Sequence, residues 1–130
     1  MEEIMTIDVT IRGMYEVQGS TRRAAAIYFN AKAHGRFFEG VTTETGVDTQ
    51  FSDNSGFCLS ARYIMTGKDM TGAECSVFIE NNGTSLDECR PTIITDSTAL
   101  SFLETADLIS TVTPNYTGVT VKIFCRSPLP

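Results

Sequence analysis

The sequence predicts an all-β protein: a single antiparallel up-and-down β-barrel, closed or nearly closed, of about eight strands over residues 1–130, with one short helix near 97–103. Three observations lead there. Several runs alternate apolar and polar side chains with a period of two. Turn signals recur about every 8–12 residues. Successive runs are joined as hairpins, and closing them into a barrel removes the unpaired edges that invite aggregation.

Met5 to Arg12 alternates almost perfectly, apolar on odd positions, and reads as a half-buried strand. Tyr15 to Arg23 is polar, contains Gly19 and reads as a loop. Ala25, Ile27, Phe29, Ala31 and Ala33 then line one face of a long strand, and His34-Gly35 is a hairpin turn signal. The chain resumes with Phe37 and Val41 expected on the matching inner face, which carries Glu39 with them. Gly46 to Phe51 leads to the turn Ser52–Gly56; that turn has calcium-loop residue types but lacks the later ligands and closing Glu.

The clearest pattern is a pair of runs, Phe57–Met65 and Ala73–Asn81, with apolar odd positions except for Tyr63 and Asn81. A polar group on an apolar face either finds a buried partner or meets a ligand. Asn82-Gly83 reads as a turn, Thr92–Thr95 as a short strand, and Ser97–Leu103 as one or two helical turns capped by Ser97. Thr105–Thr113 is a strand with Ala106, Leu108 and Val112 inward, and Val119–Arg126 alternates as the last one.

Composition narrows the function classes. A hydrophobic fraction of 42% and a charged fraction of 20% belong to an ordinary globular domain. The net charge of −6 argues against nucleic acid or an anionic membrane as a partner. The first residues lack a signal-peptide pattern and no apolar run approaches the roughly 20 residues of a spanning helix, so the expected location is cytoplasmic. The 4 cysteines contain no Cys-x-x-Cys pair and His34 is the one imidazole, so no metal or other cofactor is expected. Cys75 and Cys125 fall on apolar faces as small core residues.

Phe37-Phe38-Glu39-Gly40, Thr45-Gly46-Val47-Asp48, Ala61-Arg62-Tyr63 and Glu80-Asn81-Asn82-Gly83 occur in this order. Together they resemble the bacterial domain of unknown function 3237 family. That resemblance covers nearly the whole chain. It implies a small antiparallel barrel similar to the allene oxide cyclase barrel and to lipocalin-like folds, and it implies no established activity. The chain departs from the family pattern at His34 and Thr45, each in place of a Gly, and at Thr49, in place of a Trp. Phe102-Leu103-Glu104 stands where the family has Trp-Leu-Asn.

The inward positions include several small residues (Ala25, Ala31, Ala33, Ala61, Ala73 and Cys75), which favours an internal cavity. Against it, Phe29, Phe37, Phe51, Phe57 and Met65 are large enough to fill the lumen. Tyr63 and Asn81 are the expected ligand-binding residues, with Arg62 and Asp48, both on the outward parity, as further candidates. Glu39 and Tyr63 are the candidate catalytic residues, because a carboxyl in an apolar lumen or a phenol is able to move a proton. Arg62 also has a plain surface reading as a cross-strand ion pair with Glu80, and Glu39 one as a solvated rim residue. Three functions remain open: binding of a small, partly apolar or aromatic molecule, a cofactor-independent cyclase or isomerase, and a homo-oligomeric structural subunit with a packed lumen.

Overall fold

A computed structural model describes all 130 residues. It contains β1 (Glu2–Gln18), β2 (Arg23–His34), β3 (Phe38–Thr42), β4 (Gly46–Asp53), β5 (Gly56–Asp69), β6 (Glu74–Gly83), β7 (Cys89–Thr95), β8 (Leu108–Pro114) and β9 (Gly118–Cys125). One 3-10 turn, Ser101–Glu104, lies between β7 and β8. No helix is long and apolar enough to cross a membrane.

All strands pair antiparallel in one sheet that closes on itself, since β1 bonds both β9 and β2. The circuit continues through β8, β7, β6 and β5, and returns to β2 through β3 and β4. β3 and β4 each bridge β2 and β5, one above the other, so the 9 strands fill eight positions around the ring. A barrel of about that size is filled by side chains or holds one small ligand.

The join between β3 and β4 sets the inward parity of both. Val41 pairs with Lys32 and Gly46 with Phe29, five steps against three. The surplus of two residues is even, so even-numbered positions face inward before and after it. This corrects the expected parity of residues 37–51. Phe38, not Glu39 or Val41, points into the core from β3; Val41 is 51% exposed and Phe51 is 38% exposed. Phe37 is buried as well, but from the β2–β3 turn, where it packs edge-on against Phe102. Two adjacent buried phenylalanines hid the phase of the alternation.

Other differences are local. Tyr15–Gln18 and Arg23 are paired strand rather than loop, because β1 and β2 extend beyond the barrel as a hairpin after an irregularity between Ile11 and Gly13. Asn82 and Gly83 remain in β6, paired with Arg90 and Cys89, so the expected turn there is strand. Ala73 is exposed in the β5–β6 turn. The expected helix shrinks to the single 3-10 turn, with the Ser97 hydroxyl accepting from the Leu100 amide at 3.1 Å just before it.

That turn closes one end of the barrel. Leu100 and Leu103 are buried and belong to the main apolar cluster together with Ile4, Met5, Phe38 and Met65. Each such side chain contributes about 1.5–3 kcal/mol on burial. Asp69 ties the plug to the β5–β6 turn: Oδ1 accepts from the Thr71 amide at 2.8 Å and Oδ2 from the Ser97 hydroxyl at 2.8 Å. At the β2–β3 turn Gly35 has φ +151°, and a Cβ there would lie 3.1 Å from the Ile4 carbonyl oxygen, so glycine is required.

Around the ring the seams are unequal. β5 and β6 share a ten-pair register from Leu59–Gly83 to Lys68–Glu74, whereas β7 and β8 are paired in the ladder only at Cys89–Ser110. Beside that single contact the Val112 amide donates to the Leu86 carbonyl at 2.9 Å, from the β6–β7 loop.

Candidate functional site

The other end of the lumen holds a cavity of about 150 Å³. Its floor is the Phe29–Tyr63 pair, ring centroids 5.2 Å apart and nearly perpendicular. Gly46 makes that layer fit: a Cβ there would come within 2.6 Å of Phe29 Cζ and 2.8 Å of Tyr63 Cβ. Apolar side chains including Val9, Ile27, Leu59 and Val121 form most of the wall, with Ile11, Leu86 and Val112 toward the mouth. An apolar cavity of about this volume takes up a benzene-sized molecule. It is well below the roughly 300 Å³ at which pockets for drug-sized ligands begin.

Four polar side chains also line the cavity: Asp48, Gln50, Tyr63 and Asn81. Asp48 lies opposite Ile27 on one side and Ala61 on the other, which fixes it on the inner face and overturns its expected outward parity. Its Oδ2 accepts from the Gln50 side-chain amide at 2.8 Å, while Oδ1 is buried with no hydrogen-bond partner. Burial pushes the Asp48 carboxyl pKa up, against smaller lowering effects of the Gln50 side chain and the nearby Ser60 amide. Tyr63 is 6% exposed, and burial alone raises its phenol pKa, so it is a neutral O–H donor.

Asn81 is 3% exposed and held by Ser110, whose hydroxyl donates to Asn81 Oδ1 at 2.9 Å. With Oδ1 engaged, Nδ2 is the end left to donate. The arrangement suits a small, mostly apolar guest with one polar edge: a carbonyl or hydroxyl for the donors, and a proton donor for the carboxylate.

Of the residues expected from sequence, Tyr63, Asn81 and Asp48 therefore come together. Arg62 and Glu39 do not. Arg62 faces outward and pairs with Glu80, Nε to Oε2 at 3.1 Å. The Glu80 carboxyl is held below its usual range by the Asn82 side-chain amide first and by Arg62 in addition. Glu39 is exposed on the outer face, opposite Lys68, so the reading of a buried acid at that position is corrected. Gln50, Ser110 and Leu86 were not anticipated. Gln50 follows Asp48 with the two-residue spacing of a common face, and Ser110 stands between Leu108 and Val112 on theirs; Leu86 reaches the mouth from a loop and carries no such signal.

The remaining reactive groups are remote from one another. His34 ends β2, exposed, with Nε2 3.2 Å from Asp8 Oδ2. Cys58 is exposed, and Cys75, Cys89 and Cys125 are buried and free. Burial raises the thiol pKa of Cys75 and Cys89, which lowers their nucleophilic character. No three or more His, Cys, Asp or Glu side chains cluster in a way suited to a metal ion.

No protein-family model and no curated protein matches the chain. Solved structures do. A protein of unknown function from Clostridium acetobutylicum is similar with a TM-score of 0.78 and 22% identity, covering 97% of this chain and 98% of that one. An enzyme from Penicillium herquei aligns with a TM-score of 0.73 and 15% identity over 96% and 92% of the two chains. A β-barrel-like protein from Acinetobacter baumannii gives 0.75 and 14% over 95% and 93%. Identities this low establish the shared barrel and nothing about chemistry.

Proposed function

We propose that this barrel is a receptor for one small, uncharged, largely apolar molecule of about single-ring size, bound at the open end between Asp48 and Asn81. The observation that carries the reading is the Asp48 Oδ1 atom, buried at a largely apolar cavity wall with no partner in the protein. Leaving such an acceptor unpaired costs about 1–3 kcal/mol, more when it is charged, and a guest bearing an O–H or N–H removes that cost. The same carboxylate disfavours anionic guests. The motifs at 37–40, 45–48, 61–63 and 80–83, carried on a barrel shared with proteins of unknown function, support placing the chain in the domain of unknown function 3237 family.

Native mass spectrometry and thermal denaturation with phenol, cyclohexanone and benzoate test the binding. Phenol and cyclohexanone are expected to bind and to raise the melting temperature, and benzoate to do neither. At a free ligand concentration about 100 times Kd the stabilisation is about 2.7 kcal/mol. Tyr63→Phe is expected to weaken cyclohexanone binding by about two- to tenfold, the equivalent of one neutral hydrogen bond. Absence of any shift with either neutral ligand would overturn the receptor reading.

A further inference from the structure

One cross-strand row spans the polar part of the cavity. Asp48 on β4 lies directly opposite Ala61 on β5, and Ala61 directly opposite Asn81 on β6. Strands in a sheet are about 4.8 Å apart, so the two polar residues stand about 10 Å apart at the backbone, on a wall that curves toward the lumen. Only the methyl group of Ala61 lies between them. A single ring laid over that methyl would have the carboxylate toward one edge and the amide toward the other. Tyr63 is diagonal to Asp48 across the β4–β5 pair, roughly 7–8 Å away along the same face, and it forms the floor beneath the ring.

A carboxylate and neutral N–H and O–H donors on the lining of one cavity are the parts needed to move a proton on a carbon next to a carbonyl. We propose, resting on the receptor reading above, that Asp48 is base and then acid in a cofactor-independent 1,3-proton shift on a small unsaturated ketone, with Asn81 and Tyr63 donating to the ketone oxygen. The carboxylate takes the proton from the carbon between the carbonyl and the C=C bond. The released electron pair forms a dienolate, whose negative oxygen is held by the Asn81 Nδ2–H and Tyr63 O–H groups. Asp48, now protonated, returns the proton to the far carbon of the former double bond. The product is the conjugated enone; no atom or electron is gained or lost. The apolar surroundings that raise the basicity of Asp48 serve the first step.

The test uses 3-cyclohexen-1-one, followed by the rise of conjugated-enone absorbance, with cyclohexanone binding measured in parallel. The wild type is expected to accelerate the shift over buffer, and Asp48→Asn to lose about 100-fold or more of that acceleration while still binding cyclohexanone. Asp48→Glu, which restores a carboxylate, is expected to recover part of the rate. The wild-type rate should fall as pH drops through the Asp48 pKa, and the residual rate of Asp48→Asn should lack that limb. Glu39→Gln, on the outer face, should match the wild type throughout. Cyclohexanone binding without acceleration, or Asp48→Asn at the wild-type rate, would overturn the proton shift and leave the receptor intact. Failure of both binding and acceleration would overturn the two together.

Discussion

β5 runs the length of the barrel and serves its two ends differently. At the closed end it supplies Met65, with no exposed surface, and Asp69, whose carboxylate knots the plug in place. At the open end the same inner face supplies Ala61 and Tyr63, and its neighbour β4 supplies Gly46, Asp48 and Gln50 where an apolar filling would be expected. The alternation is identical; the volumes and the satisfaction of polar atoms are not. Both ends bring a carboxylate inward. Asp69 accepts hydrogen bonds on both oxygens, while Asp48 leaves one oxygen bare. One end is packed and satisfied, and the other leaves a cavity and an unpaired oxygen.

The sharpest way to break this contrast is to empty the closed end. Leu103→Ala, at a position 1% exposed, is expected to cost about 2–5 kcal/mol in urea denaturation. A loss well under 1 kcal/mol would mean that the plug does not pack the lumen. A matched pair of enlargements comes next. Ala33→Leu, 1% exposed beside the plug, should cost about 1–3 kcal/mol through overpacking. Ala61→Leu, which grows into the cavity, should change stability by less than about 1 kcal/mol and abolish binding of phenol and cyclohexanone. Equal costs at the two positions would erase the distinction between the ends.

The two carboxylates should respond to pH with opposite signs. Asp69 is held below its usual range by the Thr71 hydroxyl first and by Ser97 next. Its contribution is therefore fully present above the unfolded-state value of about 3.9, and is lost as pH falls through the lower folded-state value. Asp48 is raised by burial, so the folded state keeps a proton that the unfolded chain has released. Its effect is a loss of stability as pH rises from about 4 through the folded-state value. Urea midpoints between about pH 3 and pH 7 check both signs: Asp69→Asn should remove the first dependence and Asp48→Asn the second. Asp48→Asn should also be at least as stable as the wild type at neutral pH. The smallest effect belongs to Arg62→Ala, which removes an exposed ion pair on the outer face and should leave stability and ligand binding unchanged.

Much of this was legible in the sequence where one face is uniformly apolar. The runs 25–33, 57–65, 75–81 and 119–125 have their inward sides as alternation predicts, and Tyr63 and Asn81 stood out because they break it. Alternation misleads where burial comes from distant chain. Phe37 is covered by Phe102 from the plug, so counting inward from Phe37 put Glu39 inside and Asp48 outside. Val47 and Phe51 reinforced the error, since apolar side chains on an outer surface look the same as core in one dimension. Phe51 lies under the Arg22 guanidinium, 5.4 Å from the ring centroid, which gives an outward aromatic its own partner. Register across β2 decides the matter, and register is a property of two strands.

The single Cys89–Ser110 contact between β7 and β8 gives the cylinder a direction in time as well as in space. Strands joined by one pair separate at little cost, while the ten-pair β5–β6 ladder opens only with the whole molecule. Amide protons along this seam, Val112 among them, should exchange with deuterated solvent well before those of β5 and β6. Because the Leu86 carbonyl holds that Val112 amide, the same fluctuation loosens the loop over the cavity mouth.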